Sequence, residues 1–99
     1  MSYVLHVSNL AEQDIAHAHA RYAGQSTELA GRFMGRLEAI FVHVTDNPFL
    51  YAPFIENVRR AVMNRFPYSV FYSIESHEIN IKAVLHHSRN PKLWKERLA

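Results

Sequence analysis

Apolar and polar positions change their period along the chain, and the changes divide it into elements. Tyr3-Val4-Leu5-His6-Val7 is short and rich in β-branched and aromatic residues, which predicts a first strand. Ser8-Asn9 interrupts it, and Asn9 with Glu12 fits a capping box that opens a helix. Ala11, Ile15, Ala18 and Tyr22 then recur at helical spacing, so this helix runs to about Ala23, with Gly24 at its stop. Ser26 or Thr27 can cap a second helix, whose apolar face is Leu29, Phe33, Leu37, Ile40, Phe41 and Val44. Glu28 and Arg32 sit one turn apart on its polar side, and Asn47-Pro48 ends it. Two helices with so short a link form a helical hairpin.

Asn47 to Pro53 is apolar but holds two prolines, so it is expected to pack across the domain without regular structure. From Val58 the period becomes two. Val58–Met63 and Tyr68–Ile74 read as strands, Ser76-His77 as a tight turn, and Ile79–Leu85 as a further strand. Simple alternation puts Ile79, Ile81, Ala83 and Leu85 on one face of that strand, with Asn80 and Lys82 on the other. Lys92 to Arg97, after Pro91, is a short basic helix or tail. The expected order is β-α-α-β-β-β, an α+β domain with the helical hairpin packed on one face of a small, mainly antiparallel sheet.

Length and composition narrow this further. With 99 residues there is room for one core, so residues 1–99 are read as a single domain. A hydrophobic content of 48% with 20% charged residues is too apolar for intrinsic disorder. The absence of cysteine excludes a disulfide scaffold, a thiolate zinc site and a thiol nucleophile. Apolar runs are only a few residues long, so no membrane partner is expected. The N-terminal residues lack the basic and apolar regions of a signal peptide, and the cytoplasm is the expected compartment.

Charge is divided between the halves. Residues 1–56 carry three arginines against six acids, and residues 57–99 carry eight lysines and arginines against three acids. A basic half attracts polyanions or an acidic protein segment. Of the seven histidines, His17 and His19 lie two apart on a helix and diverge by about 200°. His86 and His87 are adjacent on a strand and face opposite ways. That spacing gives no metal site and implies no cofactor. No serine lies in a Gly-x-Ser-x-Gly elbow, and the acids are expected on solvated helix surfaces. What remains is a polar cluster on and beyond the sheet: Arg59, Arg60, Arg65, Lys82, His86, His87, Arg89 and Lys92. Guanidinium and ammonium groups hold phosphates, and a near-neutral imidazole moves a proton. A nucleic-acid cleft, a nuclease site and a docking face for an acidic peptide all fit this composition.

The run Val58-Arg59-Arg60, Arg65-Phe66-Pro67-Tyr68-Ser69-Val70-Phe71-Tyr72, Ala83-Val84-Leu85-His86-His87-Ser88-Arg89-Asn90-Pro91, Trp94 and Arg97 resembles the RelE/ParE toxin superfamily, in its plasmid-stabilisation branch. Upstream, Ala11-Glu12-Gln13-Asp14, Phe33, Leu37 and Asn47-Pro48 fit as well. The resemblance implies a type II toxin that arrests bacterial growth, neutralised by an antitoxin that wraps it into a hetero-oligomer. RelE-like members cut mRNA on the ribosome with basic residues. The place of one such arginine falls on Ser69, and that of a second basic residue on His87, with Arg89 nearby and Trp94 standing for a C-terminal aromatic. A hydroxyl cannot supply the fixed cation that stabilises a phosphorane-like transition state. ParE-like members instead poison DNA gyrase by a protein contact, and their strand end matches Val84-Leu85-His86. Gyrase poisoning is therefore the first expectation and mRNA cleavage the second. A non-toxic binding module that keeps the fold is the third. Arg59, Arg60, Arg65, Lys82, His86, Arg89 and Trp94 are the expected target or antitoxin contacts. His86, His87, Arg89 and Arg65 are the catalytic candidates of the nuclease alternative.

Overall fold

The computed structural model describes residues 3–99. Its elements run β1 (Val4–Val7), α1 (Asn9–Ala23), α2 (Thr27–Asp46), β2 (Pro53–Ile55), β3 (Val58–Val62), β4 (Tyr68–Glu75), β5 (Glu78–His86) and α3 (Pro91–Leu98). One five-stranded sheet has the order β1-β5-β4-β3-β2. β1 lies parallel to β5 and every other pair is antiparallel. The α+β class and the helical hairpin agree with the periodicity.

Ser8, rather than Asn9, caps α1, its hydroxyl accepting from the Ala11 N–H at 3.1 Å. The capping box with Glu12 therefore does not form. Ser26 caps α2 in the same way, accepting from Leu29 at 2.9 Å. Phe33, Leu37, Ile40 and Val44 of α2 join Ala11, Ala18 and Tyr22 of α1 over one face of the sheet, against Val70, Tyr72, Ile79 and Ile81. Phe33 is the centre of an aromatic cluster, with ring centroids of Tyr22, Phe66 and Tyr68 all within 5.4 Å.

Two features depart from the expected pattern. Pro53, the last residue of the segment expected to be irregular, opens an edge strand, Pro53–Ile55, on β3, where a proline at the first position blocks no ladder bond. In β5, Phe71 pairs with Ala83 but Tyr72 with Ile81, so Lys82 is the extra residue of a bulge. The bulge turns the strand over: Ile79 and Ile81 face the hairpin, whereas Ala83 and Leu85 face the other side. The C-terminal segment is a helix, α3, capped by Asn90 with Pro91 in its first turn. It lays Trp94 and Leu98 on Val58, Phe71, Ala83 and Leu85. Both sheet faces are thus covered, which is why β4 is buried from Tyr68 to Ser73.

Asp14 also departs from expectation. It is buried, not solvated, and its carboxylate accepts two bonds from Arg97 of α3, at 3.0 and 2.7 Å. The Val84 N–H donates to it as well, at 3.0 Å. β1 stops at the partner of Ile81, so this stretch of the β5 edge lies beyond its reach. Asp14 takes the place of a missing ladder acceptor and joins α1 to α3 around the edge.

Candidate functional site

The candidate residues separate into three places because strand geometry sends neighbours to opposite faces. On the α3 face, Arg60 is opposite Phe71 and its guanidinium lies over three rings, 5.0 Å from Trp94, 5.3 Å from Phe54 and 5.9 Å from Phe71. Its Nε donates to the Ser69 hydroxyl at 2.9 Å, and that hydroxyl lies 2.8 Å from His87 Nε2. Ser69 is fully buried and has no other acceptor among the described residues. Its own proton is therefore satisfied by an unprotonated His87 Nε2. Partial desolvation beside the buried Ser69 first, and the Arg60 charge second, push the His87 pKa down from its ordinary value. The result is a neutral, exposed imidazole at the end of a buried hydroxyl and a caged cation. Ser69 links these two residues, a role its sequence position did not disclose. Trp94 is buried beneath this group and packs on the core.

On the hairpin side, Arg59 Nη1 donates to the Tyr51 carbonyl at 2.6 Å and its guanidinium lies 5.0 Å from the Phe49 ring. Its charge is engaged in holding the loop before β2. Arg65 occupies the β3–β4 connection in a left-handed conformation, with φ of 72°. There it meets Arg32 and Arg36 of α2 around a groove of about 800 Å³ floored by Leu29 and Phe66. Arg32 is also paired with Glu28 one turn away. This basic groove draws on both halves of the chain, so a division by half does not reveal it.

His86 and Arg89 form the third place. His86 leaves β5 toward α1, edge-on to Tyr68 with centroids 5.0 Å apart. A turn closed by the Arg89 N–H on the His86 carbonyl, at 3.0 Å, carries Arg89 back beside it. Burial, then Arg21, His87 and Arg89, push the His86 pKa down. Lys82 is half-buried at the bulge and Lys92 is exposed in the first turn of α3; neither joins the other candidates. No group of three or more potential metal ligands stands together among the described residues. No helix among them is long and apolar enough to cross a membrane.

Comparison with known proteins follows this geometry. The family model for the ParE toxin of the type II toxin–antitoxin system parDE matches residues 5–91. A solved structure of the chromosomal ParDE toxin–antitoxin system from P. aeruginosa is similar at a TM-score of 0.75 and 17% identity. The match covers 85% of this chain and 95% of that one. At that identity the likeness is one of fold. No curated protein matches the chain.

Proposed function

The chain belongs to the ParE toxin family of type II toxin–antitoxin systems, and we propose that it arrests growth by ParE-type poisoning of DNA gyrase through a protein contact. The observation that carries this reading is the dispersal of the cations. Cutting RNA needs several fixed donors converging on one phosphate with a free general base beside them. Here Arg59 serves the Tyr51 carbonyl, Arg60 is held by Ser69 and three rings, and Arg65 belongs to a groove on α2. Arg21 and Arg89, free among the described residues, stand beside His86, whose Nδ1 is already taken by Ser88, on the face opposite His87. A contact poison has no such requirement. Induced expression tests the reading: supercoiling by gyrase should fall or DNA-damage signalling rise, with no codon-dependent cuts in translated mRNA. Discrete cuts with unimpaired gyrase overturn it.

One observation favours the nuclease alternative. The neutral His87 imidazole beside Ser69 and Arg60 has the protonation state of a general base. If mRNA cuts appear, His87→Gln should abolish them while leaving the fold intact, since His87 is exposed and the glutamine amide oxygen can still accept from Ser69.

The antitoxin is the partner of such a toxin. In our reading its toxin-binding segment is an acidic amphipathic helix seated on the α2 groove, with apolar anchors on Leu29 and Phe66 and carboxylates toward Arg36 and Arg65. Arg36→Glu with Arg65→Glu should weaken the complex without altering the free toxin's melting temperature. Unchanged affinity places the antitoxin elsewhere.

A further inference from the structure

The cleft between α1 and the end of β5 has a composition that toxin action on gyrase does not require. Asp14, His17, Arg21, Tyr68, His86 and Arg89 line it, and it encloses about 180 Å³. Its one carboxylate, Asp14, is already neutralised by Arg97 and engaged by the Val84 N–H. Arg21 and Arg89, by contrast, form no ion pair and no side-chain hydrogen bond among the described residues. Two free guanidiniums therefore face a small cavity without a counter-charge.

The tautomer of His86 adds a third donor. Its Nδ1 lies 3.0 Å from the Ser88 backbone nitrogen and 2.7 Å from the Ser88 hydroxyl. A backbone N–H can only donate, so Nδ1 is the acceptor and the neutral ring carries its proton on Nε2. No group among the described residues accepts from that Nε2. The turn that fixes the ring also places the Arg89 backbone beside it, and the last turn of α1 places that of Arg21.

We propose that this cleft is a binding site for a single phosphate group, held by the guanidiniums of Arg21 and Arg89 and by His86 Nε2–H. Size and donor chemistry select the ligand. Small-molecule sites are typically about 300–1,000 Å³, so this smaller cleft admits an ionic group and leaves the rest of any larger ligand outside. Two planar forks and a third N–H offer more donors than the two oxygens of a carboxylate can take up, and suit the several oxygens of a tetrahedral phosphate. The phosphate is free or carried by a nucleic acid, and the test separates these sources. The inference does not rest on gyrase as the target.

The His86 ring protons report occupancy by NMR in the whole chain at neutral pH in chloride buffer. Inorganic phosphate should shift them saturably. Arg21→Gln and Arg89→Gln should each weaken binding by about 10-fold or more, the effect of removing one charge-assisted contact. Arg36→Gln, on the α2 groove, should change nothing, and unchanged melting temperatures should accompany all three variants. A short oligonucleotide tested with and without a 5′-phosphate identifies the source. Preference for the phosphorylated form indicates a terminal phosphate, equal competition by both forms a backbone phosphate, and competition by neither the free ion. A non-saturable shift, binding indifferent to both arginine variants, or equal binding of acetate overturns the proposal.

Discussion

Asp14 shows how one side chain can tie together elements distant in sequence. Its carboxylate and the Arg97 guanidinium, with side chains 8% and 17% exposed, form a bidentate pair that also satisfies a strand N–H. Removing one member leaves the other charge buried, which costs about 3–5 kcal/mol. Asp14→Ala should therefore lose about that much in urea denaturation. Glu28→Ala, which breaks an exposed pair on α2, should lose no more than about 0.5 kcal/mol. Comparable losses at both sites contradict this account. Trp94 follows the same logic. Its burial against Phe71, with centroids 5.3 Å apart, means that Trp94→Ala should cost about 3–5 kcal/mol by leaving a cavity. Its effect on growth arrest would then reflect loss of folded protein. Arg65→Ala and Arg89→Ala, both exposed, should leave the melt within about 0.5 kcal/mol of the parent and are the cleaner probes of toxicity.

Among the elements, α2 combines a face fixed by packing with positions free of it. Phe33 is fully buried among three aromatic rings, so Phe33→Ala should cost about 3–5 kcal/mol. A Cβ built at Gly31 or Gly35 meets nothing within 4 Å. Gly31→Ala should accordingly stabilise the chain by about 0.5–1 kcal/mol, read as a higher urea midpoint at constant slope. A loss at Gly31 means that the free helix is constrained by something other than its own propensity. Both helices were legible from their apolar spacing, because a stripe such as Leu29, Phe33, Leu37, Ile40 and Val44 has one reading only. β2 was not, since Pro48 and Pro53 mark the segment as irregular and only the free edge of β3 makes it a strand. Nor was the bulge, because Ile79 to Leu85 alternates well on its own and the two faces separate only through pairing with β4. The candidate site was legible as a set of residue types but not as an arrangement. Ser69, Arg21 and Arg36 acquire their neighbours from segments far away in sequence, and no local period encodes that.

For the molecule as a whole, the two strand-end histidines make stability depend on pH in a definite direction. His86 and His87 sit on opposite faces, and both have pKa values pushed below 6.5, chiefly by burial and then by nearby cations. The unfolded chain therefore binds protons that the folded chain resists. Stability is fully present above the unfolded value of about 6.5. It is lost as pH falls below that value, and the loss ends below the folded pKa values. The melting temperature in chloride buffer should fall between pH 7 and pH 5, and His86→Gln combined with His87→Gln should flatten that fall. Phosphate in the cleft would stabilise the His86 imidazolium and raise its pKa, whereas His87, on the α3 face, would be unaffected. In phosphate buffer of matched ionic strength the fall should be shallower for the parent and for His87→Gln. His86→Gln should lack this shallowing, keeping only the change that the phosphate's own protonation brings. A slope indifferent to the buffer in every variant separates the histidines from phosphate binding, leaving desolvation and the neighbouring cations to explain the acid sensitivity.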